Sequence, residues 1–314
     1  MIYFVSHASH MSTIAVVLLW YGEKVQPFFR IVPYQKLYFL REAGPGVVIW
    51  CDFDRLSRTD LERAAQLRNE LEQCDLIHLN HPGRSERRFE LLKRLHREGV
   101  NGFDVRRPDE SFDGLHYPVF LRDEVGATYR PPALIPDREA LVAAVAGLPN
   151  SKIIKPMIVE FGAKPGADGC YRKFGAYRVG EQIFPQHCFA QEHWFVKYTE
   201  LSPEHYKEHL SYLEQNPHAA ELRPLFDAAN IEYGRIDYTL VDGRIQVFEI
   251  NTNPSVLTHP PKPSDTFDQR PYGERYVEAL LKLPSAQSPA ANGSIDANHE
   301  FCMQRMREWY NFRK

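Results

Sequence analysis

No stretch of this sequence stays apolar long enough to cross a bilayer. Its longest apolar run, Ile14–Tyr21, covers eight residues, where a membrane helix needs about 20. The first residues also lack the basic cluster that precedes the apolar region of a signal peptide. Cysteine is sparse. Five are present, at 51, 74, 170, 188 and 302, odd in number and irregular in spacing, with no C-x-x-C pair. That pattern argues against a zinc ribbon or a disulfide frame and predicts reduced thiols in a cytoplasmic protein. Charge of one sign is missing too. The 38 basic and 41 acidic side chains leave a formal net charge of −3, which argues against nonspecific nucleic-acid binding. No internal repeat is found, and no Ser/His/Asp or Cys/His arrangement marks a nucleophilic centre. What remains, at 43% hydrophobic and 25% charged over 314 residues, is a globular protein of two or three lobes.

The most informative stretch is Gly234-Arg235-Ile236-Asp237-Tyr238, followed after a short turn by Phe248-Glu249-Ile250-Asn251-Thr252-Asn253-Pro254. Period-two alternation predicts a β-hairpin with Arg235, Asp237, Glu249 and Asn251 on one face and Ile236, Tyr238, Leu240, Phe248 and Ile250 on the other. Asp242-Gly243 supplies the turn. A three-residue loop ending in Gly243 sets Glu249 across from Arg235 and diagonal to Asp237. A strict two-residue loop would split the two acids between faces. Two carboxylates and a carboxamide then converge as hard oxygen donors, the set that Mg²⁺ takes when phosphates complete its shell. A solvated strand face with paired charges is the bland alternative. Short, clustered acids followed by Thr-Asn-Pro favour the site.

Along the rest of the chain, Met1–Ser6, Val47–Cys51 and Leu76–Leu79 read as buried strands. A helix is expected from the Thr59-x-x-Glu62 capping box, and another from Ser85 to a stop at Gly99. Gly102–His116 reads as a connector, Tyr117–Leu121 as a strand ending in Arg122, and Asp137–Ala146 as a helix. Met157–Val159 leads into Glu160-Phe161 and a Gly/Pro-rich stretch. A hairpin is expected over Tyr171–Pro185, a short strand over Trp194–Lys197, and a helix from Ser202-Pro203. A further helix near 217–230 feeds the acidic hairpin. Pro284–Asn298 reads as a linker and the last residues, with Phe301, Met306 and Trp309, as a docking helix.

The G-R-I-D…E-I-N-T-N-P motif and this order of elements resemble the ATP-grasp superfamily, over roughly residues 76–284. The motif is similar to the C-terminal metal motif of D-alanine–D-alanine ligases and ribosomal-protein glutamate ligases. The resemblance implies an α/β and α+β protein in which a Rossmann-like N-terminal domain (1–82) precedes a two-lobed ATP-grasp fold. Residues 83–159 would hold a linker helix and the N-terminal lobe, 160–284 the C-terminal lobe with the metal hairpin, and 285–314 a linker and tail helix. It further implies that Asp237, Glu249 and Asn251 hold one or two Mg²⁺ (Mn²⁺ able to substitute) on the phosphates of ATP. Glu160-Phe161 would be the hinge against adenine and Arg122 the cation on the inner phosphates. Lys155-Pro156 also matches that cation's motif but lies too near Glu160. Lys197 resembles a phosphate-binding lysine, with a snorkelling surface lysine as the alternative. Asp168 would reach the ribose or serve only as a turn residue.

The implied chemistry is a carboxylate–amine ligase forming an acyl phosphate, with Arg235 on the transferring phosphoryl group and the later oxyanion. Asn253 and Ser255 would meet the carboxylate substrate. A small-molecule kinase and a catalytically weak nucleotide-binding regulator stay open, the second because the loop Asp123–Thr128 holds a single glycine. Carboxylate and amine substrates are the expected partners, without nucleic acid or membrane, and a homodimer is compatible. His7, His10, His78 and His81 stand at strand ends, lining a substrate pocket or simply occupying loops. Arg87 and Arg88 meet phosphate or form a solvated helix face. His187-Cys188 reads as buried packing.

Overall fold

A computed structural model describes residues 1–125, 131–148, 153–197, 201–257, 270–287 and 293–312. Strands β1 (Ile2–Ser6), β2 (Phe29–Pro33), β3 (Gly46–Trp50) and β4 (Leu76–Leu79) form a parallel sheet in the order β2-β1-β3-β4. Its central strands are buried along their whole length, as parallel strands with helices on both faces must be. Ile2, Phe4, Val47 and Ile49 pack on α1 (Ser12–Trp20), and Met1, Tyr3, Val5 and Trp50 on the Ala64 and Leu67 face of α2 (Arg58–Glu70). The apolar run noted above is therefore α1, which is buried because it has no polar side to offer water. Helix α2 starts two residues earlier than its Thr59 box suggests. Ser57 has extended backbone, and its Oγ accepts the Asp60 N–H at 3.1 Å, which makes it the cap.

Helix α3 (Arg88–Arg97) ends at Gly99, whose φ of +71° provides the left-handed stop. Within the expected connector lies β5 (Val105–Arg106), which joins β6 (Val119–Asp123) and β7 (Pro156–Glu160) in an antiparallel sheet ordered β5-β7-β6. Helix α4 (Arg138–Ala146) follows β6, capped by Asp137. Strands β8 (Tyr171–Val179) and β9 (Gln182–Gln191) form the expected hairpin. Helices α5 (Pro203–Gln215) and α6 (Ala219–Ala228) come next, then β10 (Tyr233–Val241) and β11 (Arg244–Asn251), giving an antiparallel sheet ordered β11-β10-β8-β9. Its rear face buries Ile236, Tyr238, Val247 and Ile250 against Leu91 and Leu95 of α3, Tyr212 of α5 and Phe226 of α6.

Two expectations fail here. Trp194–Lys197 is not a strand. The Phe195 and Lys197 N–H groups are taken by His193 Nδ1 (3.0 Å) and the Gln191 carboxamide (2.8 Å), so the segment bends rather than pairs. The Pro284–Asn298 linker is also shorter than expected, because α8 (Gly293–Phe312) already begins inside it, following α7 (Arg270–Leu281). Helix α8 docks through Ile295, Cys302, Met303 and Met306, while Phe301 stays exposed. Its Asn298 donates to Ile31 O (2.9 Å) and its His299 accepts from Ile31 N (3.2 Å), so side chains cover the open edge of β2. The expected docking of Trp309 lies outside the described side chains. Residues 126–128 of the glycine-poor loop lie outside the described residues. No helix among the described residues is long and apolar enough to cross a membrane.

Candidate active site

The β10–β11 hairpin differs from its expected register, and the difference builds the site. Asp242 (φ +51°) and Gly243 (φ +76°) form a two-residue turn, so Val241 pairs with Arg244. The register then shifts between Asp237 and Tyr238, with Phe248 as the extra residue. Beyond that bulge Asp237 stands directly across from Glu249 and Arg235 across from Asn251. The bulge also reverses the side of Phe248. Instead of joining the hairpin's apolar face it lines the cleft.

That cleft, about 340 Å³, lies between the β5-β7-β6 and β11-β10-β8-β9 sheets, and the C-terminal ends of β1 and β3 close one end. Arg235, Asp237, Glu249, Asn251, Arg122, Glu160, Phe161, Lys197, Asn253 and Ser255 all line it. The two hairpin carboxylates, Asp237 and Glu249, face cations. Arg235 donates to both oxygens of Asp237 (2.6 and 3.2 Å), and Lys173 Nζ lies 3.4 Å from the same group. Glu249 is ion-paired with Arg88, and Arg122 stands 3.9 Å away. Burial opposes the charge on Asp237, but Arg235 and Lys173 overcome it and hold the carboxyl below the usual range. Burial lowers Arg122 and Lys173 from their ordinary values. It also pushes Lys197 down to about 8, helped by the charges of Lys173 and Arg122. Among the described residues the cations thus exceed what the acids neutralise, and such a floor suits a polyanion.

No family model matches the chain, and no curated protein matches its sequence. Among solved structures, the D-alanine–D-alanine ligase from Bacillus anthracis, complexed with ATP, is similar over 98% of this chain and 98% of its own. The TM-score is 0.51 and the identity 13%. This chain has the ATP-grasp fold. The D-alanine–D-alanine ligase from Coxiella burnetii is similar over 99% of this chain and 96% of its own, at TM-score 0.49 and 12% identity.

Three expected residues have other tasks. The Glu160 carboxylate is buried and accepts the backbone N–H groups of Asp104 (2.8 Å) and His116 (2.7 Å), while its own N–H donates to Asp104 O (3.0 Å). Phe161 instead stands edge-on to Trp194, with ring centroids 5.3 Å apart, and Phe120 meets the same indole at 5.2 Å. These rings give the cleft an apolar wall. Asp168 does not line the cleft. It binds Arg172 through both oxygens (3.0 and 2.7 Å) and His205 at 3.1 Å, because the loop from Gly166 to Cys170 turns it outward. Asn253 is at the cleft but committed, donating to Asp52 (2.8 Å) and accepting from Thr13 (2.6 Å).

Several lining residues were not legible as such. Lys173 sits on β8 two residues before Gly175, the partner of Asp237, and alternation puts both on the cleft side. Gly175 is required at that point, since a Cβ would lie 2.2 Å from the His187 ring. His187 itself is buried packing, stacked on Phe189 at 4.4 Å. Asp52, Asp54 and Arg55 join His10, the strand-end histidine expected at a pocket or in a loop, from the ends of parallel strands remote in sequence. Arg88, left open between phosphate and solvent, is buried in the cleft.

Proposed function

We propose that this protein is an ATP-dependent carboxylate–amine ligase that works through an acyl phosphate. The observation that carries it is the set of Asp237, Glu249, Arg235 and Lys173 on one cleft floor of an ATP-grasp fold. The parallel sheet is read as a Rossmann-like unit (1–82), with lobes over 83–159 and 160–284 and a tail over 285–314.

ATP would lie with its base on the Phe161–Trp194–Phe120 wall and its phosphates over Arg122, Lys173 and Lys197. Asp237, Glu249 and Asn251 fit Mg²⁺, because the donor set is all oxygen and two carboxylates face each other across one strand pair. When bound, the ion would offset phosphate charge during γ-phosphoryl transfer. Arg88 and Arg235, which hold the two acids here, are placed to turn to phosphate oxygens instead. The substrate carboxylate attacks the γ-phosphorus, giving ADP and an acyl phosphate. Arg235 then stabilises the oxyanion formed when an amine adds to the acyl carbon. Ser255, beside Arg235, is the residue offered to the carboxylate substrate. Closure of the two sheets excludes water that would hydrolyse the intermediate.

Hydroxylamine tests this reading. With ATP, Mg²⁺ and an accepted acid but no amine, hydroxamate should appear in step with ADP. A stable phosphorylated product without hydroxamate would overturn the ligase.

A further inference from the structure

We infer that His10 is the base that takes the proton from the incoming amine, oriented for this by Asp52. The inference rests on the ligase reading above. His10 follows β1, Asp52 follows β3, and both line the cleft at the C-terminal ends of parallel strands. The His10 Nδ1 lies 2.5 Å from Asp52 Oδ1. A carboxylate only accepts, so Nδ1 is the nitrogen that donates to Asp52, and in the neutral ring Nε2, on the far side, holds the lone pair. His10 is about a quarter exposed and Asp52 almost fully buried (side chains 24% and 2%), which puts the imidazole at the cleft and its partner behind it.

Asp52 is itself fixed. Its Oδ2 accepts the His7 N–H and the Asn253 carboxamide, both at 2.8 Å, and Arg55 stands 3.8 Å from Oδ1. Its backbone is left-handed, with φ +61°, an unusual conformation for a residue other than glycine and one that clusters where function demands it. Asn253 in turn donates its N–H to Asn251 Oδ1 at 2.8 Å. One hydrogen-bonded chain therefore runs from the phosphate end of the cleft, through Asn251, Asn253 and Asp52, to His10. Nothing in nucleotide binding calls for an oriented imidazole there. The His7 ring, by contrast, is tied to Ser9 within its own loop.

An amine meets the acyl phosphate as an ammonium ion, which has no lone pair. His10 Nε2 takes one proton and frees the nitrogen pair. The C–N bond forms, the C–O bond to phosphate breaks, and the second amine proton leaves with phosphate or to water. His10 then returns its proton to solvent, and no oxidant or further reactant is needed.

Hydroxylamine separates this step from the earlier ones, because it is already neutral near neutral pH and needs no base. The experiment uses the full chain with ATP, Mg²⁺ and a panel of amino acids, each tried as acid and as amine. For the best pair, amide and hydroxamate are measured by mass spectrometry. His10→Gln should lower the amide-to-hydroxamate ratio about 10²–10⁴-fold, and added imidazole should restore amide formation in His10→Ala. An unchanged ratio overturns the inference, as does an equal fall in both products, which would make His10 structural. If the wild-type chain makes no hydroxamate with any acid, the ligase reading itself fails, and this inference with it. Hydroxamate production separates the two failures.

Discussion

Arg235 and Asp237, two positions apart on β10 and so on one face, are joined by a two-bond fork, Nε to Oδ1 at 2.6 Å and Nη2 to Oδ2 at 3.2 Å. The fork keeps the guanidinium beside the place where phosphoryl charge would develop, ready to turn to it. Arg235→Ala should therefore lower kcat about 10²–10³-fold while the KM for ATP changes little. Steady-state ADP release decides it. A raised KM at constant kcat would make Arg235 an ordinary binding residue.

The two hairpin acids also neutralise buried cations, which adds a stability effect to the catalytic one. Asp237→Asn removes the anion facing Arg235 and Lys173, and Glu249→Gln the one facing Arg88. Each should abolish turnover at any Mg²⁺ concentration and cost about 1–3 kcal/mol of stability in urea. The sign with pH follows from the lowered Asp237 carboxyl. Its contribution is present above the ordinary Asp value, about 3.9, and is lost as pH falls from there through the folded value. The Asn variant should lack that acid-sensitive part of the unfolding curve. Wild-type turnover in either variant would remove the metal assignment.

Lys197 gives ATP binding a pH dependence. Burial and the charges of Lys173 and Arg122 push its ammonium down to about 8, so it is charged below that value and neutral above it. ATP affinity should be level below pH 8 and fall as pH rises through it, by at most about tenfold per unit. Lys197→Arg stays charged throughout and should carry the level region to higher pH. Calorimetric titration from pH 6.5 to 9.5 checks this. An unaltered fall in the arginine variant would assign the titration to another group.

The hairpin was legible because its alternation is long and its turn residues specific, and that was enough to gather Arg235, Asp237, Glu249 and Asn251. The bulge at Phe248 was not, since a period-two reading assumes an even pleat and a single inserted residue leaves no compositional mark. Lys173 needed the β8–β10 pairing before its face had meaning. His10 was legible as a strand-end histidine, but its pairing with Asp52 needed the parallel sheet, which brings distant strand ends together without any local motif. Glu160 lines the cleft, yet its carboxylate is consumed by Asp104 and His116, partners that no spacing rule reveals. Asp168 has the place that its turn reading gave it. A local turn and the nearby Arg172 captured it before any ligand.

Asn80 tests how the parallel sheet is fastened to the hairpin. It sits just past β4, 2% exposed, with φ +64°. Its carboxamide donates to Trp50 O and Tyr233 O, both at 2.8 Å, and accepts from the N–H groups of Glu232 (2.8 Å) and Tyr233 (2.9 Å). Four backbone groups at the start of β10 and the end of β3 thus depend on one side chain. Asn80→Ala would leave them buried without partners and put alanine in the left-handed region, at a combined cost of about 3–5 kcal/mol. Because β3 leads to Asp52 and β10 carries Arg235 and Asp237, the loss should also loosen the geometry between the His10 end of the cleft and its phosphate end. In urea the variant should unfold at a much lower midpoint. At a temperature where it is still folded, amide formation should suffer more than hydroxamate formation, since only the amide requires both ends in register. A drop in stability below 1 kcal/mol would show that the two sheets are held together elsewhere.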